Sequence, residues 1–573
     1  MSLRVGNCSG FYGDRLSAMR EMLDGGDLDV LTGDYLAELT MLILGRGRLK
    51  DPSLGYARTF VRQVEDCLGT LLESDVRLVS NAGGLNPAGL ALRLDEVAGA
   101  LGLTPKIAYV DGDDLLDRAA ELGFGSPLTA NAYLGGFGIA AALSGGADIV
   151  VTGRVTDASL VVGPCVAAFG WTPTSYDELA GAVVAGHVLE CGPQATGGNY
   201  PFLKEIVDRR YPGFPIAEVA ADGSSVITKH PGTGGVVSVG TVTAQLLYEI
   251  AAPEYVNPDV IARFDTIRLA QEGANRVRIS DVQGDPAPSE AKVAITLVGG
   301  YRNTMTMVIT GLDVEAKARH AEHLLLELLG DRSSYDEVDI QLLRSDRPDA
   351  TTNAEATAQL RVTVKSQDPM VVGRRFSDSV IQLALASYAG FFTTTPPSKE
   401  TMFGVYWPAL VPIAAVAHTV VFPDGTRHEI LPPPGSRRGA VVHPRRVAAA
   451  MPERAPVPDD ESTQRRALGS LVGARSGDKG GNANIGLWAR DVAVFEWLRA
   501  YLTVERLEQL LPEARGLPIQ RFELATLLAL NIVVVGLLGR GVAASTRWDP
   551  QAKGLGEYLR SRIVEIPIRL LGT

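Results

Sequence analysis

Residues 76–101, VRLVSNAGGLNPAGLALRLDEVAGAL, read as one repeat of an α/β fold. The apolar run at 76–79 is a short buried strand, the glycine- and amide-rich stretch 80–87 (SNAGGLNP) a loop, and 88–101 a helix. The same succession recurs on either side. Strands at 3–8, 28–31, 107–110 and 148–151 are followed by GFYGDR (10–15), TGDYLAE (32–38), DGDDL (111–115) and TGRVTDAS (152–159). Strands alternating with helices predict a parallel sheet, and in such sheets ligands gather where the loops leave the strand ends. The expected fold class is therefore α/β. It has a doubly wound, mostly parallel sheet over residues 1–200, an α+β region over 201–445 and a ferredoxin-like α+β domain over 466–573.

Those loops share glycine with Asp14, Asp34, Asn81, Asn86, Asp111 and Asp157. Glycine lets backbone approach a ligand, and a helix start favours anions. The same residue types also cap helices, so both readings stand for any single loop. Arg15 and Arg154 could clamp a carboxylate or phosphate, or form surface ion pairs. Asp34 and Glu38 are placed one turn apart on a helix. Neither GxGxxG nor GxxxxGK[ST] occurs, so dinucleotide and P-loop readings lack support.

The stretch 187–200, HVLECGPQATGGNY, carries the densest chemistry. A helix from a Ser175/Glu178 capping box should end at Glu190-Cys191, where Gly192-Pro193 stop it. A helix C-terminus is electronegative, which raises a thiol pKa and argues against Cys191 as an activated nucleophile. It should also favour a protonated His187. Glu190 suits the place better, as a carboxyl pushed up toward general acid–base work. The alternative is a plain helix end with a buried cysteine.

Beyond residue 200, KHPGTGGVVS (229–238) is an anion-binding loop or a turn opening a helix. Residues 276–310 alternate as strands, and 313–329 is a helix. GFFTTTPPSKETMFGVYWP (390–408) has the mix of a lid or oligomer contact. Pro423-Asp424-Gly425 joins a hairpin. The Pro-, Arg- and acid-rich stretch 432–463 marks a linker, with the boundary set at 446–465. The 110 or so residues that follow include RSGDKGGN (475–482), which either presents cations to a phosphate or forms a charged hairpin.

The net charge of −12 opposes non-specific nucleic-acid binding. Four cysteines without a zinc or CxxC spacing suit a reduced, cytoplasmic protein. MSLRVGNCSG lacks a signal-peptide core, and the most apolar stretch, 524–539, falls short of a membrane span and is expected as buried strand and helix.

GFYGDR, TGDYLAELTM, SNAGGLNP, ADIVVTGRVTDASL, HVLECGPQATGGNY and GFFTTTPPSKETMFGVYWP resemble the acyclic terpene utilisation protein A family. The tail from GARSGDKGGNANIG looks like that family's appended ferredoxin-fold domain. In the lid, Ala389, Thr395 and residues 398–403 depart from the family's usual pattern, which leaves substrate choice open. The resemblance implies a place in catabolism of acyclic terpenes such as citronellol and geraniol. That route runs through acyl-CoA thioesters and a biotin-dependent carboxylase.

The expected function is a catabolic enzyme acting on a branched or terpenoid acyl-CoA or carboxylic acid, by hydration/dehydration or C–C cleavage. The alternative is a non-catalytic partner that binds an acyl-CoA or a carboxylase. Glu190 and Asp157 are the acid–base candidates, with Cys191 and His187 beside them. Substrate contacts are assigned to Asp14, Arg15, Asp34, Asn81, Gly83, Gly84, Asn86, Arg154, Thr196, Gly197, Gly198 and Asn199, and to Arg475, Asp478, Lys479 and Asn482 from the tail. No cofactor is expected beyond CoA as part of the substrate. A metal-assisted lyase would draw on Asp14, Asp34 and Asp157 and would take Mg²⁺ or Ca²⁺. A homo-oligomer, with no membrane and no nucleic acid, completes the expectation.

Overall fold

The computed structural model describes residues 2–434 and 462–571. Contacts divide it into two units. The first holds residues 1–296, 406–542 and 551–573, and the second holds 297–405 and 543–550.

The first unit is built on a mixed sheet whose centre is five parallel strands, in the order Ser2–Asn7, Val30–Gly33, Arg77–Ser80, Ile149–Thr152 and Ile107–Asp111. Antiparallel strands extend both edges. Pro215–Ala220, Ser225–Lys229, Arg276–Ser280 and Arg268–Gly273 lie on one side, and the hairpin Thr419–Val421/Arg427–Glu429 on the other. Alternate residues face opposite ways along a strand. Val79 and Val150 therefore pack with the helices Phe137–Ser144, Ser159–Phe169 and Tyr176–Leu189, while Leu78, Ile149 and Val151 pack with Arg58–Glu73 and Pro87–Ala100. The sheet is thus covered on both faces, as doubly wound folds require.

The C-terminal α+β domain belongs to the same unit. Gly473–Lys479, Asn482–Trp488, Ala529–Val534 and Ile519–Leu524 form an antiparallel sheet in that order. Val492–Tyr501, Val504–Leu510 and Leu555–Ser561 supply its helices around Phe495, Leu498 and Ile532. RSGDKGGN is a hairpin, the second of the two readings, and its turn is at Gly480-Gly481. The apolar stretch 524–539 holds a 3-10 turn at Ala525–Leu527 and the strand Ala529–Val534, with no α-helix. Among the described residues no helix is long and apolar enough to cross a membrane.

The second unit is antiparallel. Glu337–Leu343, Thr357–Ser366 and residues 301–310 pair side by side, and the helices Val314–Leu329 and Arg374–Gln382 close the core around Met307, Leu360 and Phe376.

Four expectations need correction. Ser175 precedes the helix Tyr176–Leu189 but does not cap it through its side chain, because its hydroxyl accepts instead from the Thr172 N–H. Asp34 lies outside the helix it was placed on, which begins at Glu38. Thr401–Pro412 is a strand, so much of the expected lid is sheet. The linker at 446–465 lies outside the described residues up to residue 461, and its last residues join the strand Thr463–Ala467.

Candidate functional site

Loops after the parallel strands and the tip of the C-terminal hairpin enclose a cavity of about 610 Å³ in the first unit. Gly10, Phe11 and Asp14 follow the first strand, Asp34, Leu36 and Glu38 the second, and Arg154, Thr156 and Asp157 the strand Ile149–Thr152. Glu190 and Cys191 arrive at the end of Tyr176–Leu189, and Asp478 and Lys479 at the hairpin tip. Tyr133, Tyr248, Tyr255 and Val256 supply apolar wall between these charges. The volume is that of an ordinary small-molecule site.

Arg154 sits at the centre of the charge network and is buried. Its Nη1 donates to Asp157 Oδ1 at 3.0 Å and to the Leu36 carbonyl at 3.2 Å, and Nη2 donates to the Tyr133 hydroxyl at 3.2 Å. Its backbone N–H donates to Asp113 Oδ2 at 2.8 Å, which fixes the loop from below. Asp34 Oδ1 accepts from the Asn81 amide at 2.6 Å and from the Leu36 N–H at 3.1 Å. Burial, then the charge of Asp157, holds the Asp34 carboxyl well above the usual carboxylate range, against the Asn81 amide. Glu190 is 8 % exposed, and burial followed by Asp157 raises it in the same way. Burial and Glu190 push the Cys191 thiol up too, so it is not an activated nucleophile.

His187 does not behave as the helix end suggests. It is enclosed by the rings of Tyr255 and Phe264, at 5.1 and 5.4 Å between centroids. Burial, then Lys479, pushes its pKa down to about 4, so it is neutral. Its Nδ1 lies 2.9 Å from Glu190 Oε1 without forming a hydrogen bond. Desolvation outweighs the dipole here.

Of the residues singled out from sequence, Asp14, Asp34, Arg154, Asp157, Glu190, Cys191, Gly198, Asn199, Asp478 and Lys479 line this one cavity. The others take supporting places. Asn81 braces Asp34. Gly83 and Gly84 turn the chain into the helix Pro87–Ala100, which Asn86 caps by accepting from the Gly89 N–H. Thr196 donates to the Gly213 carbonyl at 2.6 Å, and Gly197 ends that turn with φ 105°. Arg475 donates to Gln194, and Asn482 accepts from the Gly536 N–H. Arg15 pairs with Glu21 and stacks 3.8 Å over the Tyr211 ring, in a separate pocket. In the 229–238 loop, Lys229 donates to the Thr233 carbonyl at 2.7 Å, as a turn would have it.

Sequence reasoning missed Glu38 as a wall residue, and Tyr133, Tyr248, Glu249, Tyr255, Lys292 and Lys553 altogether. Apart from Glu38, none carries a local signal, because each arrives from a segment remote in sequence. Among the described residues no group of three His, Cys, Asp or Glu side chains is arranged to hold a metal. Asp14 instead accepts from the Gly10 and Arg15 N–H groups.

No curated protein matches the chain. Residues 3–422 match the family described as acyclic terpene utilisation family protein AtuA, and residues 466–565 match the AtuA ferredoxin-like domain. The chain therefore belongs to the acyclic terpene utilisation family, with that family's ferredoxin-like domain carried in the same polypeptide.

Proposed function

We propose that this protein is an acid–base enzyme of acyclic terpene catabolism, acting on a branched acyl-CoA or the corresponding carboxylic acid by hydration/dehydration or C–C cleavage. The observation that carries the reading is the pairing of Glu190 with the Arg154–Asp157 ion pair in one cavity. Glu190 is buried and held toward its neutral form, while Asp157 stands against a guanidinium. Two carboxyls whose surroundings differ in this way suit opposite roles. Glu190 donates a proton, to a departing hydroxyl or to a carbanion. Asp157 takes one, from the α-carbon in dehydration, from water in hydration, or from a β-hydroxyl in C–C cleavage. Arg154 and Lys479 supply positive charge for a carbonyl or carboxylate oxygen. The tyrosines and Val256 offer apolar surface to a branched chain.

The test is a thermal-shift screen with CoA, acetyl-CoA, branched acyl-CoAs and the free acids, followed by product analysis with wild type and Glu190→Gln. A ligand at a hundred times its Kd adds about 2.7 kcal/mol of stability. Stabilisation by branched thioesters beyond CoA, with turnover lost in Glu190→Gln, is expected. Binding without turnover, together with copurification of a carboxylase, would replace this reading with that of a non-catalytic partner. Equal rates for Glu190→Gln would remove Glu190 from the chemistry.

A further inference from the structure

The segment Tyr248–Ala251 is held by the ferredoxin-like domain. Asn484 Oδ1 accepts from the Glu249 N–H at 2.8 Å. The Asn484 amide donates to Asn531, whose own amide donates to the Ala251 carbonyl. Both asparagines are buried in the domain's sheet. Gly486 and Gly477 leave room for the approach, since a β-carbon on either would collide with Leu247 or with the Tyr248 ring.

The residue held this way is not a glycine. Glu249 has φ 58°, in the left-handed region that a β-carbon disfavours. Its carboxylate lines the cavity, with Lys553 Nζ 3.4 Å from Oε1. The same lysine stands 4.0 Å from Asp478 Oδ1 and 4.4 Å from the centre of the Tyr248 ring. A strained backbone position kept beside a cavity by a buried hydrogen-bond pair from a second domain points to use rather than to packing.

We infer that the ferredoxin-like domain is a working part of the site: through Asn484 it positions Glu249, which with Lys553 and Asp478 forms a second acid–base group in the cavity. This deepens the reading of the cavity as an acid–base site and rests on it. The charges facing Glu249 are Lys553, Asp478 and Lys479 from the C-terminal domain, Glu38 from the start of Glu38–Lys50, and Glu190 and Asp157 from across the cavity. Burial, then Glu38, pushes the Glu249 carboxyl up to about 8, and burial, then Glu249, pushes Asp478 up to about 8. Glu249 can therefore give or take a proton near neutrality.

The experiment uses the full chain as wild type, Glu249→Gln, Glu249→Gly and Asn484→Ala. Infrared difference spectra of wild type against Glu249→Gln should show a protonated-carboxyl band that titrates near pH 8. In Asn484→Ala the midpoint should fall toward the ordinary carboxylate range as the side chain is released. Glu249→Gly, which removes the backbone strain, should melt no lower than wild type, and this holds even where Asn484→Ala fails to fold. Turnover of branched acyl-CoAs should fall at least 100-fold in Glu249→Gln. A missing band, an Asn484→Ala midpoint equal to wild type, or a Glu249→Gly variant melting several degrees lower would each overturn the inference. Full turnover by Glu249→Gln would do the same while leaving the proposed function standing. A correct infrared titration in a protein that turns over neither branched thioesters nor the free acids would sink the proposed function and leave the second acid–base group in place.

Discussion

Asp113 lies beneath the site, and its replacement by Asn gives a sharp test of how the cavity floor is built. It is 2 % exposed, and its Oδ2 accepts from the Arg154 N–H and the Asn131 amide, both at 2.8 Å. Burial pushes its pKa from 3.8 up to about 7, against those two hydrogen bonds. The folded state therefore holds a proton that the unfolded chain releases. The stability this group contributes is fully present below pH 4 and is lost as pH rises toward and through 7. A shift from 3.8 to about 7 corresponds to about 4 kcal/mol in total, and the portion lost between pH 5 and pH 8 is roughly 2.5 kcal/mol. The amide oxygen of Asp113→Asn can accept both hydrogen bonds without titrating. Urea unfolding of wild type and Asp113→Asn at pH 5, 6, 7 and 8 is the assay, and only the difference between the curves matters, since the other raised carboxyls are common to both proteins. The variant should gain on wild type by roughly 2.5 kcal/mol from pH 5 to pH 8, an order-of-magnitude figure. A difference that stays flat within about 1 kcal/mol would refute the reasoning, because a buried, proton-holding carboxyl cannot be pH-silent.

Glu190→Gln should lower turnover by about 10²–10⁴-fold, as loss of a positioned acid does. The same variant should melt higher than wild type at pH 8 but not at pH 4, since a carboxyl raised by burial destabilises the fold only where the unfolded chain ionises it. Asn86→Ala removes the cap of Pro87–Ala100 and should cost about 1 kcal/mol of stability, with ligand-induced thermal shifts unchanged. Millimolar Mg²⁺ or Ca²⁺ should leave the melting midpoint where it is. A saturable rise would instead establish cation binding and favour the metal-assisted alternative.

The five parallel strands were legible to within a residue or two because each is a short apolar run closed by a glycine-rich loop, the pattern that burial on both faces imposes. The helices Phe137–Ser144 and Ser159–Phe169 were not. They are apolar nearly all round, so no 3.6-residue stripe stands out, and the second contains Pro164, which ordinarily argues for a break. The half of the cavity that follows strand ends was readable for the same reason the strands were. Asn86 and Asn482 show the cost of that reading, since loop amides cap helices and turns as readily as they bind ligands. His187 was misjudged because the helix dipole is visible in sequence and the rings of Tyr255 and Phe264 around it are not. Glu249 and Lys553 lie 304 residues apart and meet only through docking of the C-terminal domain, which no local pattern encodes.

The order of synthesis gives the two-domain cavity a history. Asp34, Asp157, Glu190 and Glu249 leave the ribosome long before Lys479 and Lys553. At about 5–20 residues per second, the 304 residues from Glu249 to Lys553 take roughly 15–60 s. Through that interval Glu249 lacks the asparagine and the lysine that hold it. When the last domain closes over Glu249, burial raises that carboxyl to about 8, so completion of this fold is itself an acid–base event, drawing a hydrogen ion from the surrounding medium as the nascent chain matures.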